Sequence, residues 1–401
     1  VLIRKSFRYR VYPTREQIAT ADRWSDALRF LWNLAHEQRL LGLARERSER
    51  RYVTAFDQSK ELTALRSELP WLAEVPRNVS MQLLHELDKA WQRRFKKLAD
   101  TPRWKRKGVD VVNLCEPHPK LWKLDSSALH FPKLGKLRAV VHQPLEGMPK
   151  SCTLVRDGDQ WFASISCEFT RPDPSPRTGP VIALDRGITN FVATSDGELV
   201  RGPQYLKASL KRLRRAQRKV SRRKKGSKNR KKAERGVLRE HRTIRRQRAH
   251  FHHVQSSRYT KSHGVIVLEK LNVEGMLRGN CSRGIADAGW SMFEQMIRYK
   301  QAWSGGLVKL VVAAYSSQEC FACEHIDADS RRGESYCCTK CGHTDHADLN
   351  AAKVLLRRAN RSVLPVEGEL LEGTLRSRKA KIGLRVPRRS SFAKPRPLGR
   401  G

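Results

Sequence analysis

Two short apolar runs constrain this chain most: Val181-Ile182-Ala183-Leu184, closed by Asp185, and Val265-Ile266-Val267-Leu268, closed by Glu269. A β-branched run without polar alternation reads as a strand buried on both faces of a mainly parallel sheet. If the two strands are neighbours, both carboxylates emerge at one sheet edge, the edge at which open α/β sheets bind ligands. A third acid, Asp348, opens Asp348-Leu349-Asn350-Ala351-Ala352, and the apolar spacing continued by Val354 and Leu355 puts it at or near a helix N-terminus. Ionised carboxylates held together repel one another, and a pair of divalent cations relieves that repulsion. Two such ions about 4 Å apart can activate a water and stabilise the leaving oxygen of a phosphodiester. Each acid alone has an ordinary reading: Asp348 as an N-cap, Asp185 as a turn acid, Glu269 as partner of an arginine. Together, on two buried strands and a helix start, they point to a metal-dependent nuclease.

The charge balance narrows the partner. The chain carries 81 Lys and Arg against 40 Asp and Glu, a net charge of +41, with 39% hydrophobic residues, so it is globular but strongly basic. Its 401 residues suit about two to three domains. Such an excess is costly to fold unless a polyanion neutralises it, and nucleic acid is the natural one. No apolar run approaches the roughly 20 residues that span a bilayer, so no membrane partner is expected. The N-terminus passes straight into an alternating strand without a signal-peptide pattern. Nine cysteines, five of them clustered, read as metal ligation in a reducing compartment, here the cytoplasm, rather than as a disulfide framework.

In chain order, Phe7-Arg8-Tyr9-Arg10-Val11-Tyr12 alternates at period two and Pro13 ends it. This predicts an edge strand with Arg8 and Arg10 on the face away from the aromatics, either as the polar face of a plain amphipathic strand or turned to a groove that takes nucleic acid. Thr14-x-x-Gln17 is a capping box for a long helix whose buried stripe is Ala21, Trp24, Leu28, Leu31 and Trp32. Further helix is expected over Ala55 to Leu69 and Val79 to Leu98, the latter with Leu83, Leu87, Ala90 and Phe95 on one face. Residues 14–98 thus form a helical lobe. The connector Pro102-Arg103-Trp104-Lys105-Arg106-Lys107-Gly108 offers Arg103 and Lys105 to a nucleic-acid backbone, or packs its tryptophan on the lobe. From Val111 to Phe169 short strands alternate with turns, a small barrel or sandwich that the first strand completes. Pro172, Pro174, Pro176 and Gly179 link it to the run ending in Asp185.

Beyond Asp185 a hairpin is expected across Ser195-Asp196-Gly197. Leu206 to His250 is the most basic segment: two antiparallel helices broken at Gly226-Ser227, with Arg214, Arg215, Arg222, Arg223, Lys224 and Lys225 placed for nucleic acid. After Glu269 the chain is read as a loop through Gly275, Gly279 and Gly284, then a helix from Trp290 to Trp303 and a strand at Leu307 to Val312. Cys320-x-x-Cys323 and Cys338-x-x-Cys341-Gly342, fourteen residues apart, form two thiolate knuckles with the spacing of a four-cysteine zinc ribbon. With four protein ligands such a zinc is structural. His325 and His343 are the alternative ligands and Cys337 is a spare. Beyond residue 360 the basic, Pro- and Ser-containing composition predicts a disordered tail.

The order Phe7-Arg8-x-Arg10-x-Tyr12-Pro13-Thr14, Asp185-x-Gly187, Asp287-Ala288-Gly289-Trp290, Ser316-Ser317-Gln318-x-Cys320, Cys338-x-x-Cys341-Gly342 and Asp348-x-Asn350-Ala351-Ala352 resembles TnpB, the OrfB-type proteins of insertion sequences related to type V CRISPR effectors. The resemblance covers the chain to about residue 360. It implies an α/β RNase H-like (RuvC) nuclease domain that holds Mg²⁺ on Asp185, Glu269 and Asp348. A zinc ribbon, a helical recognition lobe, a small β-barrel (wedge) domain and a guide RNA are implied with it. On that pattern residues 1–13 and 102–170 are the wedge, 14–101 the lobe, 178–312 the nuclease with its basic hairpin at 206–250, 313–343 the ribbon, 344–358 the last nuclease segment and 360–401 the tail. The implied activity is guided cleavage of double-stranded DNA beside a short flanking motif by a monomer carrying one RNA, in the cytoplasm at the nucleoid. Arg186 after the first acid and Glu324 after Cys323 depart from the family pattern.

Three other readings compete. A guided DNA-binding protein without cleavage would share the basic surfaces, but the intact acid triad opposes it. An accessory transposase would use a His-hydrophobic-His metal site with a tyrosine, which His250-Phe251-His252 and Tyr259 match superficially. That pair continues a basic helix, and the tyrosine follows too closely to lie on another. A structural RNA-binding protein leaves the acid-tipped strands without a purpose.

Overall fold

The computed structural model describes residues 2–44 and 52–361. The first strand, β1 (Leu2–Tyr12), is not an edge. It pairs antiparallel along Leu2–Val11 with a late strand and along Arg10–Tyr12 with another, so it sits inside a seven-stranded sheet. Pro13 follows the last paired residue and removes no ladder hydrogen bond, which is why the proline signal misled. The other strands are β2 (Leu114–Glu116), β3 (Lys123–Leu124), β4 (Ala128–Phe131), β5 (Gly135–Val140), β6 (Met148–Asp157) and β7 (Gln160–Thr170), in the order β2-β6-β7-β1-β5-β4-β3. All neighbours are antiparallel. Phe7, Tyr9 and Val11 face the core with Ala163 and Ile165, while Arg8, Arg10 and Tyr12 take the other face.

Between β1 and β2 lie α1 (Arg15–Ala44), α2 (Ala55–Glu68), α3 (Pro70–Ala73) and α4 (Arg77–Phe95). The capping box forms: Gln17 N donates to Thr14 Oγ1 at 3.2 Å and Thr14 N to Gln17 Oε1 at 2.9 Å. Gln17 Nε2 also reaches the Leu134 and Lys136 carbonyls, so the cap ties α1 to the sheet. On α4 the buried face is Leu83, Leu84, Leu87 and Trp91; Phe95, expected inside, is exposed because the helix ends there.

The acid-tipped runs become β8 (Val181–Asp185) and β11 (Val265–Glu269), adjacent and parallel with Leu184 opposite Leu268. Their sheet is completed by β9 (Asn190–Thr194), β10 (Leu199–Arg201) and β12 (Leu307–Val311), in the order β10-β9-β8-β11-β12. The basic segment folds as α5 (Tyr205–Ser221) and α6 (Lys228–Ser262), the second helix running twelve residues past His250 to Ser262. The glycine-rich stretch after Glu269, read as loop, contains α7 (Val273–Met276) and α8 (Ser282–Ala288) before α9 (Trp290–Ser304). On one sheet face Ile182, Leu184, Ile266 and Leu268 pack with Tyr259, Ile285, Phe293 and Ile297 from these helices. On the other, Ala183, Val267 and Val311 meet Leu355 and Ala359 of α10 (Ala347–Arg361).

Ahead of α10 comes a three-stranded sheet, β13 (Arg331–Arg332), β14 (Ser335–Cys337) and β15 (Thr344–His346), with Cys320 and Cys323 before β13 and Cys338 and Cys341 in the turn between β14 and β15. Its last strand lies beyond residue 343, where the sequence pattern ended the ribbon. The expected tail falls outside the described residues from 362 onward. Among the described residues no helix is long and apolar enough to cross a membrane.

Candidate active site

Alternation along β8 and β11 decides where the acids point. Ala183 and Val267 face α10, so Asp185 and Glu269, two residues further on, face it too, and the N-terminus of α10 carries Asp348. The Asp185 and Glu269 carboxyls lie within hydrogen-bonding reach of each other. Burial, then Glu269 and then the Asp348 charge, hold the Asp185 carboxyl well above its ordinary range, with Arg331 opposing. Asp348 is drawn aside by two side chains: Arg331 Nη2 donates to Oδ1 and Asn190 Nδ2 to Oδ2, both at 3.0 Å. Asn190 is 5% exposed, on β9. Neither residue was singled out from the sequence; an asparagine and an arginine far from the acids carry no spacing signal. Asp185 and Glu269 thus sit together with the Asp348 charge acting on Asp185, and all three offer carboxylate oxygens, the donor type that hard divalent cations take.

The short motifs around the acids acquire physical reasons. A Cβ on Gly187 would stand 2.5 Å from the Asn190 carbonyl, so the turn that returns β9 beside β8 requires glycine after Asp185-Arg186. Arg186 is buried, donating to Glu294 Oε2 at 2.9 Å and to the Glu269 carbonyl, which braces the end of β11 away from the acid side chains. The Asp287 carboxylate accepts the Leu206 amide at 3.0 Å and Arg248 Nη2 at 2.8 Å, capping α5, which has no side-chain cap of its own. Ala288 O meets His252 Nε2 at 2.9 Å, Gly289 turns between α8 and α9 at φ +66°, and Trp290 Nε1 donates to Gly187 O at 3.3 Å. The motif therefore binds the basic helices to the turn that follows Asp185.

Cys320, Cys323, Cys338 and Cys341 place their sulfurs within 4.8 Å of one another, the group of this kind found among the described residues. Four thiolates at this separation are a zinc-binding cluster with no open position. The knuckles match: Glu324 N donates to Cys320 O and Gly342 N to Cys338 O, both at 3.0 Å, and His325 and His343 contribute carbonyls, not ring nitrogens, to the Cys320 and Cys338 amides. Glu324 holds φ +64° where the second knuckle has glycine at +71°, so the departure from the family pattern leaves the turn intact. Burial raises the Cys338 thiol, but the Cys341 and Lys340 amides and its sulfur neighbours bring it down to about 6. Asn350, fully buried, accepts from Phe321 N at 3.0 Å and donates to Glu319 O at 2.7 Å, locking the ribbon onto α10 two residues after Asp348.

The expected cationic residues lie on several surfaces. Arg214, Arg215, Arg222, Arg223, Lys224 and Lys225 are exposed on α5 and the turn after it. Arg215 and Arg223 line a groove of about 560 Å³ between α5 and α6, with Arg212, Lys219, Lys232 and Arg239. Arg103 is exposed and pairs with Asp110 at 3.0 Å. Lys105 sits 4.3 Å over the Trp32 ring, and its backbone exchanges hydrogen bonds with Asn33, so the connector packs on α1. The His-hydrophobic-His reading fails on geometry: His252 is 1% exposed and Tyr259 2%, both in the core on the same helix α6.

Residues 164–280 match the OrfB family of IS605 described as "Probable transposase", and residues 290–355 a Cas12f1-like TNB domain. Residues 3–41 match a domain described as helix-turn-helix, although here they form β1 and most of α1, a single helix. A relative in Streptomyces pristinaespiralis, named as a candidate RNA-guided DNA endonuclease, is 32% identical over 88% of this chain and 89% of its own. InsQ of Escherichia coli (strain K12), named in the same way, is 29% identical over 92% and 95%. Among solved structures, the Cas12f1–sgRNA–target DNA complex aligns with a TM-score of 0.47 at 12% identity, covering 88% of this chain and 98% of that one.

Proposed function

Because the chain belongs to the TnpB (OrfB-type) family of insertion-sequence proteins, we propose that it is an RNA-guided, Mg²⁺-dependent DNA endonuclease that cuts double-stranded DNA beside a short flanking motif. The observation that carries this is the convergence of Asp185 and Glu269, on neighbouring parallel strands, toward the helix start bearing Asp348. The five-stranded sheet is then an RNase H-like layer, and Asp185, Glu269 and Asp348 hold the catalytic Mg²⁺. Bound there, Mg²⁺ supplies charge neutralisation and an activated water for phosphodiester hydrolysis.

The protein's own groups prepare that site. Asn190 fixes the orientation of the Asp348 carboxylate, and Arg331 supplies a positive charge beside it. Arg186, tied to Glu294 and the Glu269 carbonyl, holds the two strand ends in register. Structural zinc on the four cysteines keeps β13, and with it Arg331, against α10. The exposed arginines and lysines hold a guide RNA and its DNA duplex through their backbones, one RNA to one chain, and the enzyme works in the cytoplasm at the nucleoid.

The test is cleavage of a plasmid library with randomised bases beside a guide-matched target, by protein purified with RNA from its own locus, in Mg²⁺ and in chelator. Mg²⁺-dependent linearisation with one enriched flank, abolished by Asp185→Ala while RNA binding persists, is the expected result. Equal cutting by Asp185→Ala would refute the site. Retention of the plasmid without cutting would refute the nuclease and leave a guided binder.

A further inference from the structure

Not every surface of this chain is basic. Between α1 and α2, which both pack on α4, lies a groove of about 440 Å³. Buried Leu31, Leu62 and Leu84 line it together with Leu34 and Leu41, which are 39% and 63% exposed. The open leucines thus continue a buried apolar surface instead of standing singly, which is the pattern of an interaction site. Leu31, Leu34 and Leu41 follow one face of α1 at helical spacing over about 15 Å. The groove has room for the apolar side chains of a helix laid along it, not for the helix itself.

Charge decides what kind of helix fits. Glu37, Glu61 and Glu68 line the same groove, and among the described residues no Lys or Arg does. In a chain with 81 Lys and Arg against 40 Asp and Glu, that composition is the reverse of the average surface. Glu61 Oε2 accepts Gln38 Nε2 at 2.6 Å, and none of the three glutamates makes an ion pair among the described residues. Unpaired carboxylates repel phosphate, so this groove is closed to the nucleic acid that the basic surfaces attract. A second copy meeting it through the same face would set glutamate against glutamate. What complements leucines and glutamates together is an amphipathic helix whose apolar side enters the groove and whose flanks are Lys and Arg.

We infer that the groove between α1 and α2 docks a basic amphipathic helix of a protein partner, with Leu34 and Leu41 as the apolar contacts and Glu37, Glu61 and Glu68 as partners of its Lys and Arg. The site uses no residue of the acid cluster and none of the groove between α5 and α6, so it stands whether or not the chain cuts DNA. Its acids also supply selectivity: a cationic helix is repelled by the net charge of the chain and admitted where that charge is locally reversed.

The probe is a synthetic peptide of leucine and lysine arranged at helical spacing, with a scrambled peptide of equal composition beside it. Each is titrated by fluorescence anisotropy into the full-length protein, stripped of nucleic acid, which would itself bind a cation. Leu34→Ser with Leu41→Ser removes the exposed apolar contacts, and Glu37→Gln with Glu61→Gln and Glu68→Gln removes the charge. Glu16→Gln, Asp100→Asn and Glu274→Gln, at exposed acids elsewhere, raise the net charge by the same amount and serve as control. Saturable binding of the helical peptide is expected, weakened about tenfold by either groove set and unchanged by the control set. No saturable binding would overturn the site. Equal binding of the scrambled peptide, or equal weakening by the control set, would reduce the effect to net charge and overturn it too. Weaker RNA binding by the Leu34 and Leu41 variant would give the groove to nucleic acid. Sedimentation showing wild-type dimers that this variant loses would give it to a second copy. Either result would overturn the partner helix, and neither touches whether the Asp185 variant abolishes cleavage.

Discussion

Asp185 shows what a single side chain can be asked to do. Its carboxyl is buried beside Glu269 and in the field of Asp348, an arrangement that opposes folding unless something positive joins it. Asp185→Asn removes the charge and keeps the shape. In chelator at pH 8 the variant is expected to melt above the wild type; in millimolar Mg²⁺ the wild type gains melting temperature and the variant does not. Scanning calorimetry in both buffers checks this, and an equal Mg²⁺ shift in both proteins would mean that the ion binds elsewhere. Asp185 and Glu269 were readable because each ends a run whose lack of polar alternation betrays two-sided burial, and Asp348 because it opens a stretch with helical apolar spacing. Asn190 and Arg331 were not, since what brings them to Asp348 is the β8–β9 turn and the ribbon fold, and neither has a local pattern.

Helix α6 illustrates what an element gains from its neighbours. Its sequence reads as exposed and basic, yet its C-terminal half enters the core, where His252 stacks on Phe191 with ring centroids 5.2 Å apart and gives Nε2 to the Ala288 carbonyl. Charge density hid this half, and the stripe that carries it, His252, Ser256, Tyr259 and Thr260, mixes polar types that periodicity counts as solvent-facing. The same blindness turned β1 into an expected edge and the α7–α8 stretch into loop: proline and glycine mark where chains can turn, and tertiary packing decides whether they do. Burial, with Arg248 and His253 adding to it, lowers His252 from 6.5 to about 4. The unfolded chain therefore binds a proton below 6.5 that the folded chain refuses until about 4, so stability falls as pH drops through that window. The loss attributable to this residue reaches about 3 kcal/mol at its lower end. His252→Phe should sacrifice about 1 kcal/mol at pH 7.5, from the missing hydrogen bond. Denaturant melts between pH 7.5 and 4.5 should then fall less steeply than those of the wild type. Parallel profiles would mean that the imidazole is solvated in solution.

At the scale of the molecule the dominant fact is a net charge of +41 on 401 residues, legible from composition alone, whereas its distribution required the fold. The groove between α5 and α6 concentrates part of it. Arg212 spends its charge on Glu240 at 3.3 Å and Arg239 on Asp159 at 3.6 Å, but Arg215, Lys219, Arg223 and Lys232 make no ion pair among the described residues. Ala216, Ala233 and Gly236 also line the groove, and their small size leaves room for a phosphate backbone between the cations. A backbone lying there releases counterions in proportion to the phosphates it gives up, so affinity falls with salt by a slope of about 0.7 per contact for a single strand. Arg215→Gln with Arg223→Gln should thus lower the slope of log affinity against log salt by about 1.4, leaving the melting temperature near that of the wild type because neither residue is buried. Fluorescence titrations with RNA across a salt series measure both slopes. A slope unchanged by the two substitutions would place the strand outside the groove. A slope that drops together with guided cleavage, while cleavage recovers at low salt, would show that these cations hold nucleic acid and leave the chemistry to the acids.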